Sequence, residues 1–378
     1  MSVGGARPNF MKLAPFVREL HKHPDLFEHF LVHTGQHYDK KMSGAFFSEL
    51  GMPDPDANLG IGSGSHAEQV GRTMIEFEKV VREWSPDWVV VVGDVNATCA
   101  ASITAAKESV KVAHIEAGLR SFDRAMPEEI NRIVTDSLSD LLFTTDEIAD
   151  RNLLNEGVSP ERIKRVGNIM IDTLEEHRAT ADRLKPLDIV STNMIDGGSV
   201  KDVNLLQNGF AVLTLHRPSN VDDRNALERL VRFFADEFTH ELPLVWTVHP
   251  RTRNRLESFG LWEKVLSCPA IFPVQPLGYR EMLKLNIEAR MVFTDSGGLQ
   301  EECCIIGTPC ITLRENTERP VTLVEHGGLS VLTGNDVGRM RNAFALMKKS
   351  SGIGSRPPLW DGHTAVRIVG VFADLAKR

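Results

Sequence analysis

Short apolar runs alternate with longer amphipathic stretches along most of the chain, and each run is followed by a glycine or polar turn. This alternation predicts repeated βα units, because short β-branched runs are typical of buried strands and amphipathic stretches are typical of helices. Such units build mostly parallel α/β sheets, and ligands bind at the carboxyl ends of their strands. Functional residues are therefore expected just after the strands. The predicted strands are 88–92, 112–115, 141–145, 211–215, 244–248, 291–294 and 310–313.

The length of 378 residues predicts two domains. The alternation lapses over 185–209, a stretch with little periodicity and a Gly197–Gly198 pair, which suits a linker or an irregular edge insertion. The boundary is therefore expected there, with 1–185 as the first domain and 186–361 as the second.

The two ends of the chain are less regular. Only Met1, Ser2 and Val3 precede the turn at Gly4, so the first strand is expected to be short. The segment 362–378 has the pattern of a helix. Periodicity leaves open whether that helix completes the second domain or crosses back to the first.

The charge balance and the cysteine spacing narrow the function classes. Asp and Glu (51) exceed Lys and Arg (43), whereas a protein that binds nucleic acid through its phosphates presents a basic face. No apolar run approaches 18 residues and the start lacks the apolar stretch of a secretion signal, so no membrane span is expected. The 5 cysteines and 13 histidines show no metal-binding spacing. We expect reduced thiols, no metal site and a cytoplasmic location.

One turn has the residues of a phosphate site. Ser296, Gly297 and Gly298 follow the predicted strand 291–294 and open a helix. The glycines allow close backbone approach, the helix start offers unpaired N–H groups, and Ser296 adds a hydroxyl. The same pattern is also typical of an ordinary helix cap in a tight turn.

Charged residues near that turn extend the phosphate hypothesis. Glu301 and Glu302 lie in the first two turns of the helix, where the helix dipole explains one carboxylate and the other is placed to accept bonds from a ribose diol. Arg319, in a later polar loop, offers charge-assisted bonds to phosphate. In the first domain, Arg7 and Lys12 lie at a helix start, where the dipole disfavours cations. A bound anion explains them, and so does an exposed surface pair.

Carboxylates follow two neighbouring predicted strands. Asp94 comes after 88–92, Glu116 after 112–115, and Glu128 opens the next helix. Crowded carboxylates repel one another, and such crowding separates acid and base pKa values, so general acid–base chemistry is the sharper interpretation. His216 ends the strand 211–215, on the same edge of the second domain as the proposed phosphate turn. It is a candidate ligand group, although a strand-end histidine is more often only a polar terminus.

In order along almost the whole chain, these motifs resemble the non-hydrolysing UDP-N-acetylglucosamine 2-epimerases. The motifs are GARPNFMK (5–12), TGQH (34–37), GD (93–94), HIEAGLRS (114–121), PEEINR (127–132), VGN (166–168), LTLHRPSN (213–220), TDSGGLQEE (294–302) and TERP (317–320).

The resemblance implies a GT-B arrangement of two Rossmann-like domains with an interdomain cleft, with 362–378 crossing back onto the first domain. It also implies a homodimer, a UDP-sugar substrate and no cofactor. Catalytic roles carry over to Asp94, Glu116, Glu128 and His216. The residues matched to UDP or sugar binding are Arg7, Lys12, His216, Ser296, Gly297, Gly298, Glu302 and Arg319.

The reaction of that family interconverts UDP-N-acetylglucosamine and UDP-N-acetylmannosamine. UDP leaves C1, a carboxylate removes the C2 proton, and the 2-acetamidoglucal intermediate is reprotonated from the other face as UDP returns. Two groups on opposite faces are expected. Which of the three carboxylates is acid and which is base stays open, and Glu129 is the neighbour we exclude.

Two departures from the family pattern bear on regulation and on the substrate. Residues 38–43 replace a glutamine-containing segment that helps many bacterial members bind a second, activating substrate molecule. HRPSN (216–220) replaces the more frequent HRREN-like form, which fits a subgroup or a related sugar such as a 2,3-diacetamido uronate. A GT-B glycosyltransferase, a hydrolysing epimerase and a nucleotide-sugar sensor without turnover also stay open as functions of this chain.

Overall fold

The computed structural model describes residues 1–35, 47, 50–195, 201–348 and 354–377. The chain forms two compact units. The first contains Met1–Thr173 and Pro358–Arg378, and the second contains Leu174–Pro357. The assignment of 1–185 with 362–378 and of 186–361 to domains with distinct tasks stays a prediction.

The first unit is a parallel sheet in the order β3-β2-β1-β4-β5-β6-β7. Its strands are β1 (Ser2–Gly4), β2 (Leu31–His33), β3 (Ala57–Asn58), β4 (Trp88–Val92), β5 (Lys111–Ala117), β6 (Leu141–Thr144) and β7 (Ile163–Arg165). Its helices are α1 (Arg7–Leu20), α2 (His66–Trp84), α3 (Asn96–Lys107), α4 (Pro127–Leu138) and α5 (Glu147–Asn155), and α6 (Ile169–Ala181) carries the chain into the second unit.

The second unit repeats this doubly wound order in a sheet arranged β10-β9-β8-β11-β12-β13. Its strands are β8 (Ala211–Leu215), β9 (Leu244–Val248), β10 (Ile271–Val274), β11 (Met291–Thr294), β12 (Cys310–Thr312) and β13 (Ser330–Leu332). Its helices are α7 (Pro186–Asn193), α8 (Pro218–Val221), α9 (Arg224–Asp236), α10 (Pro250–Ser258), α11 (Trp262–Ser267), α12 (Tyr279–Glu288), α13 (Gly297–Ile306) and α14 (Val337–Lys348).

The last helix, α15 (Thr364–Ala376), packs in the first unit. The Phe372 ring lies 5.5 Å from the ring of Trp88 and 5.7 Å from that of Phe143, measured between centroids. The Asp172 carboxylate accepts the first N–H groups of the helix, from Thr364 at 3.1 Å and Ala365 at 2.8 Å. The end of the chain therefore completes the covering of the first sheet.

Both sheets are covered on both faces, which explains why a central strand such as β4 is apolar throughout. In β4, Val90 and Val92 pack into the core that contains α1 and α15, while Val89 and Val91 pack into the core that contains α2. A strand that alternates between two buried faces needs apolar side chains at every position. The run 88–92 is therefore a strong strand signal.

The predicted α/β fold of two Rossmann-like units is confirmed. Within the stretch 185–209, which lacked a clear pattern, the structure has the helix α7. Pro186 suits its first turn, and Ile189 and Val190 are buried, so packing stabilises a helix too short for periodicity to reveal. Among the described residues, the helices all fall short of the length and apolar character that a membrane crossing requires.

In each sheet the strand order reverses between two central neighbours. These are β1 and β4 in the first unit and β8 and β11 in the second. Loops that leave such a pair diverge and open a crevice at the carboxyl edge, where doubly wound proteins bind ligands. We call the two positions the first edge and the second edge.

Candidate functional site

At the first edge, a buried ion pair joins α1 to the end of β5. The Lys12 ammonium donates to Glu116 Oε2, and the Glu116 residue is 3% exposed. The other carboxylate oxygen, Oε1, has no hydrogen-bond partner among the described residues. A buried carboxylate oxygen without a partner is costly in a resting structure, so it points to a ligand or a transferred proton.

Glu116 is held in an unusual backbone conformation. Its φ is 71°, in the left-handed region, and the pairing of β5 with β6 shifts register between Ile115 and Ala117. This irregularity turns the side chain out of the regular strand alternation. A left-handed non-glycine residue costs free energy and persists where the surroundings enforce it, often at active sites.

The left-handed backbone conformation favours glycine at position 93, directly before Asp94. Gly93 has a φ of 67°, and a Cβ there would lie 3.4 Å from Lys12 Nζ and 3.7 Å from Glu116 Oε2. Asn9, on α1, donates from Nδ2 to the carbonyl of Val92 at 3.0 Å. The turns after β1 and β4 are thus joined, and Lys12, Asp94 and Glu116 are brought to one edge.

Asp94 is held by an arginine that the sequence analysis did not single out. The Arg132 guanidinium, from α4, donates to Asp94 Oδ2 and, from Nη2 at 2.6 Å, to Glu129 Oε2. Glu129 also accepts the backbone N–H groups of Ser121 at 3.0 Å and Phe122 at 2.8 Å. Burial alone would raise the pKa of Glu129, but the Ser121 N–H and the Arg132 guanidinium hold it below its usual value. Glu129 therefore has a structural task.

Glu128, the third candidate carboxylate, is exposed on the first turn of α4. Its place at the start of the helix suits the helix dipole. The structure therefore distinguishes it from Asp94 and Glu116, each of which is paired with a cation. Helix α1 begins at Arg7, whose side chain lies outside the described part of the chain, as do Gln36, His37 and residues 38–43.

At the second edge, one buried carboxylate connects the ends of β8 and β11. Asp295 is 0% exposed and accepts the backbone N–H groups of His216 at 3.0 Å and Arg217 at 2.9 Å, and the side-chain amide of Asn220 at 3.0 Å. His216 Nδ1 lies 2.7 Å from Asp295 Oδ1. Burial would raise the pKa of Asp295, but the His216 imidazole and these N–H groups hold it below its usual value.

Asp295 therefore fixes the orientation of the His216 ring, whose side chain stays 41% exposed. Sequence reasoning quoted Asp295 within the turn and gave it no role. The available signal was an acidic residue placed directly after a fully apolar strand, where a buried carboxylate requires donors.

The start of α13 is the candidate phosphate turn. Ser296 caps the helix, with its Oγ accepting from the N–H of Leu299 at 3.5 Å. A Cβ at Gly297 would lie 2.8 Å from Glu318 Oε1, so close packing requires glycine there. A Cβ at Gly298 would meet only Ser296 Oγ, at 3.9 Å. Within the described part of the chain, the N–H groups of Gly297 and Gly298 have no hydrogen-bond partner, and together with the space at Gly298 they suit an anion.

Arg319 lies beside this turn in a buried cluster of charges. Its Nε is 2.5 Å from Glu301 Oε1, and its Nη1 donates to Glu318. Glu318 also accepts from Arg314 Nη2 at 2.6 Å, and each of these four residues is at most 6% exposed. Two arginines and two glutamates leave no net formal charge. Arg319 thus carries ion pairs that sequence reasoning did not anticipate.

Glu302, one position beyond Glu301, is buried at 5% exposure. Burial raises its pKa to about 7, with the Tyr279 hydroxyl opposing the rise and the Glu301 carboxylate adding to it. A carboxyl group with this pKa is partly protonated near neutral pH. It is then able both to donate to and to accept from a hydroxyl pair.

The chain was compared with known families and structures. A family model described as UDP-N-acetylglucosamine 2-epimerase matches residues 18–373. The chain is 42% identical over 368 residues to the UDP-N-acetylglucosamine 2-epimerase of Methanococcus maripaludis, covering 97% of this chain and 96% of that protein. It is 40% identical over 322 residues to the UDP-2,3-diacetamido-2,3-dideoxy-D-glucuronate 2-epimerase of Pseudomonas aeruginosa, covering 84% of each.

A solved structure extends this similarity to three dimensions. The crystal structure of the Methanocaldococcus jannaschii UDP-GlcNAc 2-epimerase in complex with UDP-GlcNAc and UDP superimposes with a TM-score of 0.85 at 40% identity. The match covers 98% of this chain and 99% of that chain.

Proposed function

Because this chain belongs to the UDP-N-acetylglucosamine 2-epimerase family, we propose that it interconverts UDP-N-acetylglucosamine and UDP-N-acetylmannosamine by inverting the configuration at C2. The observation that carries the proposal is the first edge. There, Glu116 is buried, strained and paired with Lys12, keeps one oxygen without a partner among the described residues, and lies beside Gly93, which precedes Asp94. A carboxylate in such a setting suits a proton transfer.

The bonds made and broken follow from the substrate. The C2 hydrogen is not next to a carbonyl, so its direct removal is very slow. We propose that the C1–O bond breaks first and the electron pair leaves with UDP. A carboxylate then takes the C2 proton from the cationic ring, giving 2-acetamidoglucal. Proton return to the opposite face of C2 and attack of UDP oxygen on C1 complete the inversion. No electrons are exchanged, so the reaction requires no redox cofactor.

We assign the proton transfers to Asp94 and Glu116, with Glu128 as the third candidate and Lys12 compensating charge near the sugar. The exposed position of Glu128 supports a lesser role. His216, oriented by Asp295, is assigned to the departing and returning diphosphate, where a positioned donor stabilises developing negative charge.

We assign UDP binding to the second edge and to Arg7 of the first unit. The start of α13 and Arg319 would hold the diphosphate, and Glu302 would hold the ribose diol. The unbonded helix N–H groups and the raised pKa of Glu302 support this assignment. The proposed binding residues are Arg7, Lys12, His216, Ser296, Gly297, Gly298, Glu302 and Arg319. We further propose a homodimer and a cytoplasmic location.

A second candidate is the same inversion on a UDP-2,3-diacetamido uronate. The observation that favours it is the Pseudomonas aeruginosa relative, whose 40% identity nearly equals that of the UDP-N-acetylglucosamine 2-epimerases. The two substrates differ at C3 and C6, whereas the proposed chemistry at C1 and C2 is the same. The candidates therefore share every residue assigned above.

The test is to incubate the protein with each UDP-sugar in heavy water and to follow C2 by NMR. The expected result is deuterium at C2 together with a second sugar isomer that is still joined to UDP. Free N-acetylmannosamine would identify a hydrolysing epimerase, and product that forms only with an added acceptor would identify a glycosyltransferase. No exchange at C2 of either sugar would contradict the proposal.

A further inference from the structure

His114, in β5, is a buried histidine with an oxygen acceptor at each ring nitrogen. The residue is 0% exposed, its Nδ1 lies 2.6 Å from Asp136 Oδ1, and its Nε2 lies 2.9 Å from the carbonyl oxygen of Gly93. A neutral imidazole carries one N–H group and would turn a lone pair toward one of these oxygens. With Asp136 ionised, both bonds are satisfied only when both nitrogens carry a proton.

The anion that balances this charge is buried and fully bonded. Asp136, on α4, is 1% exposed. Its Oδ2 accepts from the N–H of Gly118 at 3.0 Å and lies 2.7 Å from Arg120 Nη1. Burial would raise the pKa of Asp136, but His114 and Arg120 hold it below its usual value. Arg120 in turn donates to both oxygens of Glu156, at 2.7 and 2.6 Å. Charges of alternating sign thus lead from Glu156 to the His114 ring.

The ring acts on the peptide that precedes Asp94. The Gly93 N–H donates to the carbonyl of Ile115 at 3.1 Å, while its carbonyl accepts from His114. Gly93 is therefore held through both of its polar backbone groups, in a left-handed conformation, and a Cβ there would contact Lys12 and Glu116. A rotation of this peptide would move Asp94 relative to Glu116.

We propose that His114 and Asp136 form a buried imidazolium–carboxylate pair that positions the Gly93-Asp94 turn against Glu116 for proton transfer at C2. The positioning role rests on the proposed function, whereas the charge state of the pair does not. His114 is a positioning residue, because its side chain is fully buried and acts through Gly93. A displacement of about 1 Å in a reacting group lowers turnover by orders of magnitude, so a fixed peptide at this place has a large effect.

The only charged side chain that bonds to the ring among the described residues is that of Asp136. The charged residues on the surrounding elements are Arg132 from α4, Arg120 and Glu116 from β5 and its following turn, Glu156 behind Arg120, Asp94 after β4, and Lys12 from α1.

The first experiment reads the charge state without any substrate. Protein labelled with ¹⁵N histidine is examined by NMR, and the His114 signals are assigned by their loss in His114→Gln. Because each ring nitrogen faces an oxygen acceptor, we expect both to be protonated in the unaltered protein at pH 7. In Asp136→Asn the amide group faces Nδ1, so the ring is expected to become neutral while keeping the bond from Nε2 to Gly93. A neutral ring in the unaltered protein at pH 7 would overturn the proposal.

The second experiment reads positioning through kinetics. We expect His114→Gln to lower kcat by about 10- to 100-fold and Asp136→Asn by about 3- to 10-fold, with KM and UDP affinity within about threefold. Asp172→Asn is the matched control, because Asp172 is a buried carboxylate of the same unit that binds the backbone N–H groups of α15. The control is expected to lower the melting temperature and to leave kcat unchanged.

A common loss of kcat in all three variants, in proportion to their loss of stability, would show that the pair has only a structural role. Unchanged kcat in both His114→Gln and Asp136→Asn would also overturn the positioning role. If the unaltered protein exchanges no C2 hydrogen, the proposed function fails and the positioning role fails with it. The NMR result then still decides the charge state, so the two failures are distinguishable.

Discussion

The two edges share one topology and differ in their chemistry. At the first edge, the candidate carboxylates Asp94 and Glu116 each meet a cation, and the backbone at Glu116 is strained. At the second edge, the central carboxylate Asp295 is saturated by N–H donors, and the neighbouring charges of Arg319 and Glu301 neutralise one another. Within the described part of the chain, the first edge keeps an unsatisfied oxygen, whereas the second edge offers unbonded helix N–H groups.

Under the proposed function, this difference divides one reaction between two similar sheets. A carboxylate that transfers a proton must bind and release that proton during the reaction. Glu116 Oε1, which has no hydrogen-bond partner among the described residues, suits this task. Holding a diphosphate requires fixed donors that do not reorganise, and the proposed function assigns this task to the start of α13 and to Arg319. In both sheets the strand order places the site where that order reverses. The residues that follow the strands then decide whether the site suits proton transfer or diphosphate binding.

The largest expected effect is a loss of kcat that distinguishes Glu116 from Glu128. Glu116→Gln removes the proposed acid or base while keeping the shape of the side chain, so kcat is expected to fall by roughly 10²–10⁴-fold. Glu128→Gln, at the exposed position, is the comparison variant and is expected to lose less. Steady-state kinetics with UDP-N-acetylglucosamine measures both. A smaller loss in Glu116→Gln than in Glu128→Gln would reverse the assignment.

A large effect on binding is expected at the second edge. Arg319→Ala removes the cation that Glu301 and Glu318 share, so UDP affinity is expected to fall at least tenfold, and the free energy of unfolding is expected to fall by about 3–5 kcal/mol. Calorimetry and urea unfolding measure these two quantities.

The control for Arg319 is Arg314→Ala, which removes the other guanidinium of the cluster. It is expected to cost similar stability and less UDP affinity. Equal losses of affinity in the two variants would mean that Arg319 supports the cluster and does not bind phosphate.

The raised pKa of Glu302 predicts a pH-dependent stability. The group titrates at about 4.5 when unperturbed and at about 7 in the folded protein. The folded protein binds more protons between these values, so the contribution of Glu302 is present below about pH 4.5 and is lost as the pH rises through 7. The difference in unfolding free energy between Glu302→Gln and the unaltered protein is therefore expected to change with pH. From about pH 5 to pH 8 it should shift by about 3 kcal/mol in favour of the variant. Urea unfolding measures the unfolding free energy of both proteins as a function of pH. Parallel curves would show that the pKa of Glu302 is not raised.

The smallest effect distinguishes two neighbouring glycines. Gly298→Ala meets nothing closer than 3.9 Å, so stability is expected to stay within about 1 kcal/mol while UDP affinity falls by about tenfold. Gly297→Ala brings a Cβ to 2.8 Å from Glu318 and is expected to lose about 1–3 kcal/mol of stability as well. Thermal unfolding and UDP titration measure both variants. Unchanged UDP affinity in Gly298→Ala would show that this turn does not bind the phosphate.

The fold was largely predictable because the central strands are buried on both faces. The strands at 88–92, 211–215, 244–248 and 291–294 have the predicted bounds. Edge strands such as β3 and β7 were missed, since they are two or three residues long and include exposed positions that break an apolar run. The helix α7 was missed because packing, and not periodicity, stabilises it.

The positions of candidate site residues were predictable, and their partners were not. Asp94 and His216 follow strands and Glu116 lies at the end of β5, so the topology alone brings them to the carboxyl edges. The partners of Arg319 lie in a helix and a loop that only the tertiary fold brings together, and the left-handed φ of Glu116 depends on packing around the strand end. Sequence patterns carry no signal for such pairings.

The division of labour between the edges is tested most directly by titrating UDP into the Glu116→Gln protein in a calorimeter. If the first edge serves proton transfer and the second edge holds UDP, the dissociation constant is expected to stay within about threefold of that of the unaltered protein, although turnover is lost. A loss of UDP affinity of tenfold or more would contradict this division, because it would make Glu116 part of the UDP site.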